Sequence, residues 1–518
     1  MRRVGFGLAR RHKRGTALAA VANQSATFGT LTIAQAGGFK PVDANADTRT
    51  LTAYNSLVSG SLGVYTPSIV SGALVFSGGA GAPDAAVLRC THAGGTVDIT
   101  IATVANTYSV NTKTESLAAL SGIGVAGGKT IRYRRGNYGS MDDLGKFVSY
   151  LAEVVHLGEG TADTGKGTRW ATAYTAFSQN QAFENLEAYT TNTTSPLSFN
   201  VFPTGLRITD CYLHGIYHNP LADWSTGYTL ASAAVEVGGT VGGFVVERCL
   251  MEYVVNGILA TTKGTMTIQD NEIRFIHSDG MQISADPLDK TSARIIRRNV
   301  VYGTLYDEVA HSDFIQLGTT NAPDTDEYAN WTIEQNVCFS STTVSLGTMQ
   351  GIWTGVVGTG NGMRFKDPIV RYNIILDLHA NSMIFYNLNG GTFTGNLVAH
   401  MDTVTEAANT MSISLGVGGT SIGAISVTNN VTEGKNLVAG PTYTDTNNII
   451  LGNAGSIISF TSAFNDSAPA TGFTNYANAL AKRTAKAGGP IAIALAGPLG
   501  VGVATFGSPR IPAGWSIP

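Results

Sequence analysis

VERCLMEY (246–253), IQDNEIRF (268–275), IRRNVVYG (296–303) and IEQNVCFS (333–340) are four versions of one pattern: a polar residue, then Asn or Cys, then a short apolar strand. It occurs earlier at ITDCYLHG (208–215) and later at VRYNIILD (370–377), FTGNLVAH (393–400) and VTNNVTEG (427–434). The anchors are Cys211, Cys249, Asn271, Asn299, Asn336, Asn373, Asn396 and Asn430, spaced 22 to 38 residues apart. Repeats of this length mark a solenoid. The shortest spacing suits one coil of a β-helix, and the longer ones leave room for inserted loops. No 3.6-residue periodicity runs through the units, which argues against helical repeats. Asn suits the anchor because its amide can bond to the same side chain one rung above and below, and because it tolerates the left-handed turn conformation. Cys fills the slot as a small apolar group. The fold expected is an all-β, right-handed single-stranded parallel β-helix.

Composition agrees. The 518 residues include 62 Gly and 16 Pro, with 13% charged residues and a net charge of −3. This reads as many short strands joined by tight turns. Near-neutral charge argues against nucleic-acid binding, which needs a concentrated basic surface. A local basic patch for an acidic polymer remains compatible with it. Cys90, Cys211, Cys249 and Cys338 show neither CxxC nor metal-ligand spacing and read as buried small hydrophobes. The charges Arg10, Arg11, Lys13 and Arg14 interrupt any apolar run in MRRVGFGLARRHKRG (1–15), against a secretory signal peptide. The uncharged stretch 488–507 is broken by Pro490 and Pro498, against a membrane helix.

Four segments follow: an arm over 1–27, a small antiparallel β-rich domain over 28–115, the β-helix over 116–460 with coils from about Gly127 to Ser459, and a C-terminal cap or assembly region over 461–518. SLAALSGIGVAGG (116–128) reads as a short helical segment that caps the open end of the solenoid.

The second strand of successive units reads VVNGIL (254–259), HSDGMQ (277–282), HSDFIQ (311–316), TMQGIW (348–353) and HANSMI (379–384). In register, Asn256, Asp279, Asp313, Gln350 and Asn381 form one ladder, with Val254, His277, His311, Thr348 and His379 two residues earlier. Residues i and i+2 of a strand share a face, so His277 and Asp279 should stack under His311 and Asp313, one strand spacing of about 4.8 Å away. Stacked carboxylates repel, and one of them should hold its proton more tightly. Two readings stand side by side: a hydrogen-bonded ladder that ties rungs together, and a catalytic or binding site. Gln282 and Gln316 pair further along, while Tyr306, Trp353 and Tyr386 are candidates to stack on a ligand ring. Insertions at 286–298, 303–310 and 319–328 edge this ladder, where loops on a rigid scaffold carry binding residues.

The anchored rungs, together with GGKTIRYRRGNYGS (127–140) as the start of a first coil, resemble the pectate-lyase-like superfamily of β-helices and, within it, phage tailspike and depolymerase proteins. The resemblance covers roughly two thirds of the chain and concerns the fold more than the chemistry. It implies binding or cleavage of a long polysaccharide (capsular, exo- or lipopolysaccharide) laid along the helix. It also implies a homotrimer, a virion-attachment role for the N-terminal domain with tail proteins as partners, and an extracellular or virion location. The polygalacturonase series of acidic motifs is absent. Of the lyase pattern, Arg274 and Arg364 are only loose matches.

Three functions compete. In an O-glycosidase, Asp279 and Asp313 are the acid and its partner carboxylate, oriented by His277 and His311, with Gln282, Gln316, Gln350, Trp353, Tyr306, His379 and Arg274 contacting substrate. In a polysaccharide lyase, a histidine or arginine takes the proton, and Ca2+ is the one ion implied; otherwise no cofactor is expected. In a non-catalytic receptor-binding fibre or adhesin the ladder only staples rungs. A secreted or surface bacterial β-helix is the remaining alternative.

Overall fold

In the computed structural model each repeat becomes a coil of three legs, and each leg pairs in parallel with the matching leg of the coils above and below. The structure describes residues 24–29, 39–41, 49–63, 65–77, 86–104, 106–110, 112–133, 136–141, 149–158, 168–170, 174–175, 179–190, 193, 195–199, 204–215 and 231–238. It further describes 242–302, 312–318, 326–339, 350–355, 363–377, 382–400, 411–417 and 421–450. The expected C-terminal cap, 461–518, lies outside these residues. The strand Leu250–Gln269 is one whole coil without an inserted loop, pairing along its length with Glu272–Ile276, Met281–Ala285 and Arg294–Arg297. This is why Cys249 and Asn271 have the shortest spacing among the recognised anchors.

The corner before the second leg explains the anchors. Asp210, Arg248, Asp270, Arg298, Gln335, Tyr372 and Asn429 all have φ between 53° and 58°. The left-handed residue is therefore the one before the anchor, not the anchor Asn as its conformational preference suggested. Asn serves there for its amide. Asn271, Asn299, Asn336, Asn373 and Asn396 each donate the backbone N–H and Nδ2 to Oδ1 of the next anchor, at 2.9–3.2 Å. Nδ2 also donates to a carbonyl of an earlier coil, as from Asn336 to Ile296 and from Asn373 to Ile333. The ladder runs one rung further than the repeats suggested, to Asn448, which accepts from Asn430. At its other end Cys249 donates its N–H to Asn271, and its thiol points to the Glu247 carbonyl.

Apolar columns fill the interior. Phe183, Ile208, Val246, Ile268, Ile296, Ile333, Val370, Phe393 and Val427 stack in register on the first leg, all fully buried. The second leg contributes Ala188, Leu213, Met251, Ile273, Val301, Cys338, Ile375 and Val398. The third contributes Val235, Ile258, Met281, Ile315, Ile352, Met383 and Ile413. All four cysteines are free and buried.

The chain divides into two compact units, Met1–Val110 and Asn111–Pro518. In the first, Leu51–Ser59, Ala86–His92 and Gly95–Val104 pair antiparallel, with a separate hairpin of Thr66–Val70 and Ala73–Ser77. Gln24–Gly29 adds a parallel pair to Gly95–Val104, so the sheet is mixed rather than purely antiparallel, and this strand reaches into the stretch expected as an arm. Phe39, Leu74, Leu88, Cys90, Ile99 and Ile101 form its core. The second unit opens with the helix Lys113–Ile123, where Thr112 accepts the Glu115 N–H as N-cap. Its buried residues Ser116, Ala119, Leu120 and Ile123 lie on one side, and the helix rests against Thr130–Tyr133 at the head of the first coil.

Candidate functional site

The third leg aligns the predicted ladder in the register expected from the sequence. Asp313 pairs with Gln350, and the Met281–Ile315 and Ile258–Met281 pairings carry Asp279 under Asp313 and Asn256 under Asp279. Asn256 Oδ1 accepts the Asp279 N–H at 3.1 Å, and Asp279 Oδ1 accepts the Asp313 N–H at 2.7 Å. Each side chain thus closes onto the backbone of the next coil, whereas the anchor asparagines close onto the preceding one. Asp279 and Asp313 are 4% and 0% exposed, in phase with the core residues Met281 and Ile315. They sit at the inner edge of a corner. His277 lies on a bend that follows the left-handed Phe275, outside any strand, so strand alternation does not put it on one face with Asp279; it is half-buried while Asp279 is enclosed. His311, His379 and Tyr306 lie outside the described residues.

The outward side of this leg gathers three other predicted residues. Gln282, Gln316 and Trp353 form one column in register, continued by Ile384 and Ser414. Gln316 and Trp353 are buried, and the Trp353 ring meets Tyr386 edge-on at 5.7 Å. Gln350, by contrast, belongs to the inward ladder.

Arg274 stands elsewhere, on the outward side of the second leg, where the structure reveals a network that sequence reasoning missed. Its Nε donates to Glu252 Oε2 at 2.7 Å and its Nη1 to Glu272 Oε1 at 3.1 Å. Tyr302 donates to Glu272 Oε1 at 2.5 Å, and Tyr212 donates to Glu252 Oε1 at 2.5 Å. Two coils earlier than Glu252, Glu187 accepts from His214 Nε2 at 3.0 Å and lies 2.9 Å from Arg169 Nε. These residues take the first and third positions after each anchor, which the inward central residue forces outward. In the next three coils the same positions are apolar, Val337 and Phe339, Ile374 and Leu376, Leu397 and Ala399, before an acid returns at Glu433. That switch from polar to apolar was the signal available in the sequence.

The network is buried where its charges are densest. Arg274 is 5% exposed and Glu272 4%, whereas the Arg169 side chain is 34% exposed, so solvent reaches the network from the Arg169 end. Burial pushes Glu272 above the usual carboxylate range, opposed by Arg274 and Tyr302. Burial works against the Arg274 cation too, but Glu252, Tyr302 and Glu272 outweigh it and raise its pKa. Burial, then Glu252, raises the Tyr212 hydroxyl. Glu187 Oε2 and Glu272 Oε2 are both buried with no hydrogen-bond partner among the described residues. Burying two carboxylates with one guanidinium is costly unless the geometry is well satisfied, so such a set is more common at a working site than in scaffold.

The 286–298 insertion is a different case. Arg294, fully buried, donates to Thr262 Oγ1, to the Ser292 and Asp289 carbonyls, and pairs with the Asp289 carboxylate at 3.1 Å. Asp286 Oδ1 accepts the Leu288 N–H. These charges hold their own loop. Arg364, the other loose lyase match, pairs with Glu327 at 3.8 Å. No group of three or more His, Cys, Asp or Glu placed to hold a metal ion occurs among the described residues. Nor is any described helix long and apolar enough to cross a membrane.

No family model matches the chain, and no curated protein matches it. Among solved structures it is similar to a PL6-family polysaccharide lyase from Pseudopedobacter saltans, with 11% identity, a TM-score of 0.32, and coverage of 68% of this chain and 96% of that one. At that level of likeness no activity transfers.

Proposed function

We propose that this protein binds a bacterial surface polysaccharide along its coils and depolymerises it, with the working site on the outward side of the second leg. One observation carries this reading: the buried Tyr212–Glu252–Arg274–Glu272–Tyr302 network lies on a solenoid face whose equivalent positions in the next three coils are apolar. Two carboxyls on neighbouring coils, one of them disposed to keep a proton, are the groups that glycosidic cleavage uses. A tailspike-like assembly, trimeric and attached to a virion through the N-terminal unit, is the biological setting we propose with it. Asp279 and Asp313 offer the second reading, supported by their stacking on adjacent coils. The bond from the Asp313 N–H to Asp279 Oδ1 favours a structural role for Asp279.

The test is to incubate capsular, exo- and lipopolysaccharide from candidate hosts with the wild type, Glu252→Gln and the Asp279→Asn/Asp313→Asn double variant, following polymer length. The expected result is shortening by the wild type and the double variant but not by Glu252→Gln. Loss in the double variant alone moves the site to the ladder. Binding without shortening by any of them leaves a receptor-binding fibre.

A further inference from the structure

Arg169 is held unusually well for a half-exposed arginine. Its guanidinium carbon lies 3.9 Å from the centre of the Tyr189 ring, and its Nε forms an ion pair with Glu187 Oε1 at 2.9 Å, outside hydrogen-bond alignment. Tyr189 is backed in turn by His214, with ring centres 5.5 Å apart, and His214 by Tyr212 at 4.2 Å, both stacked. His214 is fixed at both nitrogens, Nδ1 to the Gly215 carbonyl at 2.7 Å and Nε2 to Glu187 Oε1 at 3.0 Å. Among the described residues nothing engages Arg169 Nη1 or Nη2. A planar fork is thus oriented by a stacked column, with its two outer donors unused and the side chain 34% exposed. Arginine in that state recognises a carboxylate or another oxyanion through paired hydrogen bonds, and little side-chain entropy is left to lose.

The location links this fork to the network. Arg169 pairs in register with Glu187, Glu187 with Tyr212, Tyr212 with Leu250 and Leu250 with Glu272. The fork and Glu272 are therefore four coils apart on one outward column, about 19 Å at the spacing of adjacent strands. The charges differ between the two ends. Glu252 and Glu272 share the one guanidinium of Arg274, so the inner end leaves no cation free to meet an anion. At the outer end a single carboxylate, Glu187, lies between Arg169 and His214.

We propose that the Arg169 fork, backed by Tyr189 and His214, is a subsite for an anionic substituent of a glycan: the carboxylate of an acidic sugar, or a sulfate or phosphate ester with the same oxyanion chemistry. It rests on the polysaccharide reading above and adds to it where a charged group docks. The sugar bearing that group lies several residues from the one at the Glu252–Glu272 end.

Free glucuronate, and separately inorganic sulfate, would be titrated into the full chain and followed by calorimetry and by the Arg169 side-chain NMR signal. The variants are Arg169→Ala and Arg169→Lys, with melting curves to confirm that each is folded. Expected are saturable glucuronate binding by the wild type, at least a tenfold weakening in Arg169→Ala, and incomplete recovery in Arg169→Lys, which keeps the charge but not the fork. Sulfate displacing glucuronate assigns the site to oxyanions in general; sulfate without effect assigns it to carboxylates. No saturable binding of either anion, or equal binding in Arg169→Ala, overturns the proposal. Glucuronate binding by a protein that shortens no polysaccharide would leave the subsite standing and defeat the depolymerase reading.

Discussion

Asp279 uses one carboxylate oxygen to accept the Asp313 N–H, and an asparagine could make the same bond. Asp279→Asn should therefore leave stability within about 0.5 kcal/mol, whereas Asp279→Ala strands a buried N–H and should cost about 1–3 kcal/mol. Urea unfolding of the two variants checks this; equal losses from both would mean that the charge itself matters at this corner. The same scale separates residues that looked alike in the sequence. Asp279 and Glu272 are both buried acids, yet Asp279 closes onto backbone while Glu272 bonds Arg274 and Tyr302 and keeps one oxygen unused. Histidines divide in the same way: His277 lies on a bend, and His214 joins the outward network.

Among elements, the anchor ladder couples the coils most directly. Asn336 accepts from the backbone and side chain of Asn299 and donates to Ile296 and Asn373. Replacing it with alanine leaves several buried polar groups unpaired in two coils, so Asn336→Ala should cost about 3 kcal/mol or more. Asn336→Cys should cost less, because Cys211 and Cys249 already occupy equivalent corners with their thiols directed at carbonyls. The comparison is read from denaturation midpoints, and a cysteine variant no better than alanine would count against the equivalence. Anchors were visible in the sequence because a repeated hydrogen-bonding need imposes a repeated residue type. The left-handed residue before each was not, since Asp, Arg, Gln, Tyr and Asn all fill it.

For the whole molecule, a solenoid's stability is close to a sum over coils, so different regions can respond differently to pH. His156 lies in the first coils, fully buried between Phe183 at 4.8 Å and Tyr133, whose hydroxyl meets Nδ1 at 2.8 Å. Burial lowers its pKa to about 4 from 6.5. The unfolded chain takes up the proton first as pH falls. Stability is therefore fully present above pH 6.5 and declines towards pH 4, by about 3 kcal/mol in all. Hydrogen exchange should show the coils around Thr130–Glu184 opening on acidification before those carrying Asn299 to Asn430. His156→Phe, which keeps the ring stack, should remove that difference; exchange that rises uniformly in both proteins would locate the acid sensitivity elsewhere.

The sequence alone determined the coil repeat, the anchors, the register of the third-leg ladder and the burial of the cysteines. These depend on local periodicity and on one residue type recurring at one corner, and both are written along the chain. Only the tertiary structure decided which side of each leg faces inward, because facing depends on where the chain turns. That turned the Asp279–Asp313 ladder towards the core and the Glu252–Arg274–Glu272 set outward. The Arg169 fork needed it most. Arg169, Tyr189 and His214 are adjacent only because successive coils stack them, and nothing in their sequence spacing records that contact.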